Sequence, residues 1–336
     1  MSNEAAEREK MEKLRVGILG AGHIAGVMAD TFAKMEEAQC IAVASRNLEK
    51  AEEFATKHNV PKACGSYEEM LKLDEVDLVY VATPHSHHLE HGRLCIQYGK
   101  PVLMEKAFTS NAKEAKELIA FAKEKQVFIA EAIWVRYMPM VQTIREVMES
   151  GIIGTPRFLT ANLGYPIRDV KRLTDPALAG GALLDVGVYT LNFASMFFGK
   201  DVEETSVTCV KTETGVDAQD SITLIYKDGR MAQLFCSMET VSDRYGMIHG
   251  SSGYMMIENI NNFQSVAVYD RENKEVLKKA CPPQISGYEY EVLACREALE
   301  KGLLEAEAMP HSEIIHMMEV MDEIREKIGV KYPWEE

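Results

Sequence analysis

The sequence predicts an α/β chain in two parts: a doubly wound parallel sheet first, then an α/β domain built on an open, mostly antiparallel sheet. Three observations carry this. Up to about residue 130, short continuous apolar runs alternate with helical stretches, the pattern of strands buried on both faces. A glycine-rich turn stands directly behind the first of those runs. Past residue 150 the apolar runs follow one another with few helices between them, and Asp228-Gly229 reads as a two-residue hairpin turn.

In the first part, "LRVGIL" (14–19), "CIAVA" (40–44), "VDLVYVA" (76–82), "PVLME" (101–105) and "VFIAE" (127–131) are the strands. Helices are expected over 23–36, 47–58, 66–72, 85–98 and 111–125. Strand and helix in strict turn imply right-handed βαβ units. In the second part, "PRFLTANLG", "SVTCVKTET", "SITLIYKDGRMAQLFCSME", "GYMMIENI" and "FQSVAVYD" are strands. One helix (185–199) interrupts them early, and two more, near 287–302 and 311–328, close the chain. The boundary falls somewhere in 131–150.

Composition narrows the partners. Across 336 residues, 46% are hydrophobic and 26% charged, ordinary values for a globular protein. Lys and Arg total 37 against 52 Asp and Glu, a net charge of −15 that repels phosphate backbones and argues against nucleic acid. No uninterrupted apolar run of about 18 residues occurs, so no membrane span is expected. The start, "MSNEAAEREKMEK", lacks the basic end and apolar middle of a signal peptide. Seven scattered cysteines without C-x-x-C point away from a disulfide framework and toward a reducing cytoplasm.

"GILGAGHIAG" sets Gly20-x-Gly22-x-x-Ala25 behind a strand and at the start of a helix. Gly20 permits the tight turn, Gly22 lets backbone approach a pyrophosphate, and small Ala25 permits close helix–strand packing. The helix start at His23 and Ile24 then offers free N–H groups to the anion. This is the Rossmann arrangement. A carboxylate about 20 residues on normally binds the ribose hydroxyls of NAD, but here stand Ser45 and Arg46, with Lys50 a turn further. No carboxylate repels a 2′-phosphate and a guanidinium can grip it, so NADP(H) is preferred, with NAD(H) still admitted. The plainer alternative is that Arg46 and Lys50 are solvated charges at a helix start.

"VATPHSHHLEHG" packs His85, His87, His88 and His91 behind the fourth strand. His87 and His91, i and i+4, could share a metal, but no further cluster completes a shell, and a crowded helix start explains them as well. No metal is expected. Thr83-Pro84 ends a strand where cofactor crevices open in parallel sheets, and Thr83, Pro84 and His88 are expected against the cofactor.

"GKPVLMEKAF" ends an apolar strand in a bare charge pair, Glu105-Lys106. Burying charge without a partner costs several kcal/mol, so the pair is either a surface terminus or a functional group aimed into the same crevice. Hydride chemistry needs a proton donor or acceptor beside it, and a partly buried ammonium fits that need, with Glu105 holding the lysine or meeting the carboxamide. "DPALAGGALLDVGVYTLNFA" adds Asp185 and Tyr189 on one helix face behind a Gly180-Gly181 pair that suggests a flexible approach. A tyrosine beside an ammonium is easier to ionise, so Tyr189 could exchange the proton while Lys106 steadies it. Taken alone, Asp185 could be an N-cap and Tyr189 a core residue.

The "GAGHIA", "ATPHSHH", "GKPVLMEKAF" and "GGALLDVGVYTL" segments, in this order over most of the chain, resemble the glucose–fructose oxidoreductase / inositol dehydrogenase / MocA family. "EAIWVRYMP", the Glu-Lys-Ala variant and the ending "IGVKYP" are most similar to its dimeric dihydrodiol dehydrogenase and NADP-dependent xylose dehydrogenase branch. The resemblance implies catalytic roles for Lys106, Asp185 and Tyr189, a pocket lined by Trp134 and Arg136, and a homodimer formed through the open sheet. The polar start reads as a flexible leader (1–13), and the resemblance implies behind it an NADP-binding domain (14–131) and a substrate-binding and dimerisation domain (132–336), whose last helices are free to pack back on the first domain. Two departures stand out: Ala107 replaces the usual proline, which would relax the backbone there, and Tyr189 stands where many relatives have His. Arg172, with Arg168 and Lys171, either meets an anionic or polyhydroxylated substrate or is a solvated loop charge. The expected activity is an NADP(H)-dependent oxidoreductase acting on a secondary alcohol or hemiacetal of a sugar, cyclitol or trans-dihydrodiol. The alternative is a non-catalytic NADP(H) sensor.

Overall fold

The computed structural model describes residues 13–335, so the expected leader lies, Lys13 apart, outside the described residues. Strands β1 (Leu14–Leu19), β2 (Ala38–Ala44), β3 (Lys62–Cys64), β4 (Leu78–Val81), β5 (Val102–Glu105) and β6 (Ile129–Ala132) form a parallel sheet in the order β3-β2-β1-β4-β5-β6. Between them run α1 (His23–Phe32), α2 (Leu48–His58), α3 (Tyr67–Leu71), α4 (His88–Gln97) and α5 (Ala112–Lys125). Asn47 and Asn111 cap α2 and α5 by accepting the N–H of Lys50 and Glu114. β4 and β5 are buried throughout, as their unbroken apolar runs require. The order reverses between β1 and β4, which opens a crevice at their carboxyl ends. In this sheet β3 escaped the sequence reading: its three residues, one of them a lysine, carry no pattern.

The second part holds α6 (Met140–Glu149), β7 (Pro156–Gly164), α7 (Lys171–Thr174) and α8 (Val188–Phe198). After them come β8 (Val202–Lys211), β9 (Asp217–Tyr226), β10 (Met231–Ser237), β11 (Gly246–Gly250), β12 (Gly253–Glu258), β13 (Ser265–Asp270) and β14 (Glu275–Ala280), then α9 (Glu289–Glu300) and α10 (His311–Ile328). The sheet order is β14-β13-β12-β11-β7-β10-β9-β8, with β7 and β10 its one parallel pair. Helix α6 fills the soft boundary, and β11 and β14 were not expected, the first being short and bounded by glycines, the second exposed and polar. The hairpin between β9 and β10 has a loop of three residues, not two: the N–H of Tyr226 donates to Arg230 O, and Gly229 takes φ +80°.

Register gives this sheet two different faces. Val268, Met255, Ile248, Leu159, Ala232 and Leu224 lie side by side on the inner face, all buried. On the outer face Tyr269, Tyr254, His249, Phe158, Met231 and Ile225 form a matching row. Its rings follow one another at 5.0, 5.9 and 5.7 Å, from Tyr269 to Phe158. The segment Pro176–Phe198 is long and apolar enough to cross a membrane, but 89% of its apolar window is buried inside the fold, so it is a core helix here. Val292, Cys295 and Ala298 of α9 join Leu14, Val16, Ile18, Leu78 and Tyr80 in one core, and Ala112 N donates to Asp322 of α10 at 2.8 Å. The closing helices therefore pack back on the parallel sheet.

Candidate active site

At the crevice, a Cβ on Gly20 (φ +108°) would sit 2.7 Å from Ala82 O, so only glycine closes the turn. A Cβ on Gly22 would meet nothing within 4 Å. The protein itself does not demand that second glycine; bare backbone there serves whatever lies above it. The first helical bond of α1 runs from Gly26 N to Gly22 O, which leaves the N–H groups of His23 and Ile24 without intrahelical partners. Gly20 N donates to Ala44 O, which brings the end of β2, and with it Ser45 and exposed Arg46, beside the glycine turn. Lys50 lines the adjoining groove with Gly22 and His23. This set fits a dinucleotide.

A cleft of about 350 Å³ continues from Gly22, His23 and Ile24 past Thr83, Pro84 and His85 to Glu105, Lys106, Arg172, Asp185, Tyr189 and Tyr288. The charge pair that ends β5 therefore faces the crevice. Tyr80 donates to Glu105 Oε1 and the Lys106 N–H to Oε2, while burial raises the Glu105 carboxyl above its ordinary pKa. Lys106 Nζ donates to Asp185 O at 2.7 Å and approaches Oδ1 at 3.4 Å. Arg172 reaches the same oxygen at 3.0 Å. Burial alone would raise the Asp185 carboxyl, but Lys106 and Arg172 hold it well below the usual carboxylate range. Ala107 is fully buried and its carbonyl lies 2.9 Å from a ring nitrogen of His88, so the relaxed backbone expected there is not seen; the Lys106–Ala107 peptide is cis.

Tyr189 lies in the cleft with its ring under the ammonium, 5.2 Å from Lys106 Nζ. The expectation that Lys106 eases its ionisation is corrected: burial pushes the phenol well above its ordinary pKa. The ammonium sits over the ring face and spends its charge on Asp185, so the hydroxyl keeps its proton.

Four other expectations change. Trp134 does not line the cleft; it stands behind the wall, donating to Tyr189 OH at 3.0 Å and stacking on Tyr288 at 4.1 Å. Arg136 turns away altogether, into a buried pair with Glu313 at 2.7 Å: in the 3₁₀ turn Trp134–Tyr137 successive side chains stand about 120° apart, so Trp134 and Arg136 face different sides. His88 is fully buried, one ring nitrogen 2.7 Å from Thr83 O and the other 2.9 Å from Ala107 O, so it joins the two cleft-edge loops instead of facing a cofactor. His85 likewise spans Lys106 O and Ala179 O, and burial lowers both rings, to about 3 and about 4. His91 meets Thr83 and His87 meets Ser86. Gly180-Gly181 is packed, not loose: a Cβ on Gly180 would lie 2.5 Å from Leu173 O. Arg168 pairs with Glu213 and Glu239, away from the cleft.

Two residues went unrecognised. Glu131 stands near the end of β6 as Glu105 stands at the end of β5, a signal present in the sequence; it accepts the Phe108 N–H at 2.9 Å, and burial lifts its carboxyl to about 7. Tyr288 forms part of the cleft wall and had no motif to mark it; only the adjoining Gly287 (φ +102°), where a Cβ would strike Trp134 at 2.5 Å, betrays the close packing.

Residues 14–132 match the model of an oxidoreductase family with an NAD-binding Rossmann fold, and 141–256 match the GFO/IDH/MocA C-terminal domain. The chain is 38% identical over 333 residues to the trans-1,2-dihydrobenzene-1,2-diol dehydrogenase of Mus musculus, covering 95% of this chain and 98% of that one. To the enzyme of that name from Homo sapiens it is 36% identical over 329 residues, with the same coverage. Among solved structures, a 3-ketoreductase from Actinomadura kijaniata in complex with NADP and TDP-benzene shares the fold with a TM-score of 0.84 at 24% identity, covering 94% of this chain and 98% of that chain. An aldose-aldose oxidoreductase from Caulobacter crescentus, complexed with glycerol, gives 0.84 at 22% with the same coverage.

Proposed function

The chain belongs to the GFO/IDH/MocA oxidoreductase family, and from that premise we propose that it is an NADP(H)-dependent dehydrogenase of a trans-dihydrodiol, sugar or cyclitol. The observation that carries the reading is the placement of Lys106 Nζ, held by Asp185 at 2.7 Å, over Tyr189 and across the cleft from the bare backbone of Gly22.

Gly22, His23 and Ile24 would receive the pyrophosphate, Arg46 and Lys50 a 2′-phosphate, and Thr83, Pro84 and Glu105 the inner end of the dinucleotide. When bound, NADP(H) supplies the hydride donor or acceptor. The substrate oxygen then lies between Lys106 and Tyr189. Tyr189, which keeps its proton, donates it as a carbonyl becomes an alcohol and recovers it in the reverse direction. Lys106 stabilises the developing alkoxide, and Asp185 fixes the ammonium in place. Tyr288, Tyr189 and the indole behind them make an aromatic wall that suits a ring substrate.

The outward aromatic row of the second sheet, whose rings are only half-buried beside exposed Met231, supports a homodimer formed through that face. Seven free thiols support a reducing compartment, the cytoplasm.

The test is a panel of dihydrodiols, aldoses and inositols with both nicotinamide cofactors, followed by Lys106→Met. That variant is expected to keep NADPH affinity while turnover falls by about 10²–10⁴-fold. Unchanged turnover sinks the reading.

A further inference from the structure

Beneath the turn that carries Asp185 and Tyr189 lie two buried acids that the proposed reaction does not use. Asp217 and Asp220, on β9, are each 1% exposed. Asp217 Oδ2 accepts the N–H of Leu183, the first residue of the π-helical turn Leu183–Gly187. Asp220 Oδ2 accepts from the Cys236 thiol at 3.4 Å. One oxygen of each acid, Asp217 Oδ1 and Asp220 Oδ1, is buried without a hydrogen-bond partner, and each carboxyl is near enough to act on the titration of the other. Two carboxylates repel strongly in so dry a place, whereas one proton between the two orphaned oxygens satisfies both.

The turn rests directly on this floor. A Cβ on Gly181 would lie 2.2 Å from Asp217 Oδ1, and one on Gly187 would lie 3.0 Å from Cys236 Sγ. Asp185 sits inside the segment so clamped, and Tyr189 follows in α8.

We propose that Asp217 and Asp220, joined by one shared proton, are positioning residues that fix the Leu183 N–H and thereby set Asp185 and Tyr189 against Lys106. The proposal rests on the dehydrogenase reading. The groups facing the pair are Cys209 from β8, Cys236 from β10, Arg325 from α10 and Tyr332 from the segment after it. Burial first, and then the neighbouring Asp217, raise the Asp220 carboxyl. The folded chain therefore holds this proton more tightly than the unfolded chain, and the stability it confers is lost as pH rises from the ordinary carboxylate range through the raised value.

Asp220→Asn still donates a hydrogen bond to Asp217 but has no proton to lose. Its Tm minus that of the wild type is expected to grow steadily between pH 5 and pH 9, while kcat at pH 6 stays within about threefold. Asp217→Ala is expected to lower kcat by about tenfold or more with NADPH affinity unchanged, since a small misplacement of reacting groups is enough. Should that variant not fold, Asp217→Leu, which fills the space of the carboxylate but gives the Leu183 N–H no acceptor, is measured instead, with a several-fold loss of kcat expected. Parallel Tm–pH curves for Asp220→Asn and wild type, or unchanged kcat in the folded Asp217 variant, overturn the proposal. The Tm measurement needs no substrate, so its result is separable from any failure of the proposed reaction.

Discussion

The indole of Trp134 donates to the hydroxyl of Tyr189 across 3.0 Å while lying flat on the ring of Tyr288, so one side chain fixes two walls of the cleft. Trp134→Phe keeps an aromatic face for Tyr288 and removes the donor. Turnover should fall about 3- to 10-fold, in line with the loss of one buried hydrogen bond, with NADPH affinity unmoved. A double-mutant cycle with Tyr189→Phe checks the cause: once the Tyr189 hydroxyl is gone, the Trp134 substitution should cost much less.

Arg46 stands exposed at the end of β2, next to the glycine turn that Ala44 O braces. Arg46→Ala should weaken NADPH by about tenfold and leave NADH within a factor of two, measured by nicotinamide fluorescence titration. Ser45→Asp should act in the same direction by placing a carboxylate against the 2′-phosphate. Equal losses for both cofactors in either variant would remove the stated preference.

Glu313 is buried and accepts from Arg136, Ser195 and Lys200. Burial raises its carboxyl, but Arg136 and the other donors bring it below the ordinary glutamate value. The resulting stability is present above about pH 4.3 and is lost as pH falls through the lower folded value. Glu313→Ala strands the Arg136 guanidinium and should destabilise the chain by about 3–5 kcal/mol at pH 7, read by urea denaturation. KM for substrate should change little, because this pair faces away from the cleft.

Tyr254 and Phe158 belong to the outward row on the second sheet, two places apart across β11. Tyr254→Asp combined with Phe158→Glu should convert a dimer to a monomer in analytical ultracentrifugation. The Tm is expected to drop and to become independent of protein concentration. A wild-type chain that sediments as a monomer would remove the proposed interface.

Much of this molecule was legible before its fold was known, for physical reasons. The run "PVLME" is apolar without alternation because β5 is covered on both faces, and that pattern is local. The glycine turn was readable because Gly20 adopts a φ of +108°, a demand that one residue type meets. Glu105-Lys106 was conspicuous because charge at the end of a buried strand requires a partner, and the Asp185 carboxylate, 3.4 Å from Lys106 Nζ, supplies it. Glu131 could have been noticed by the same argument.

The rest depended on contacts between segments far apart in the chain. Arg136 looked like a pocket residue beside Trp134, yet its partner lies 177 positions away on α10. His88 sat in a promising motif, yet its ring nitrogens face backbone carbonyls of two different loops. No periodicity reveals which of two neighbouring side chains turns to the cleft and which to the core. The sequence by itself determined the two-part architecture, the glycine turn and the identity of the amine at the end of β5, because hydrophobic period and backbone stereochemistry act within a few residues. Only the tertiary structure decided where that amine's partners lie, which acids are buried under the turn that carries Asp185 and Tyr189 and which face of the second sheet is left open, because those follow from how distant elements share one interior.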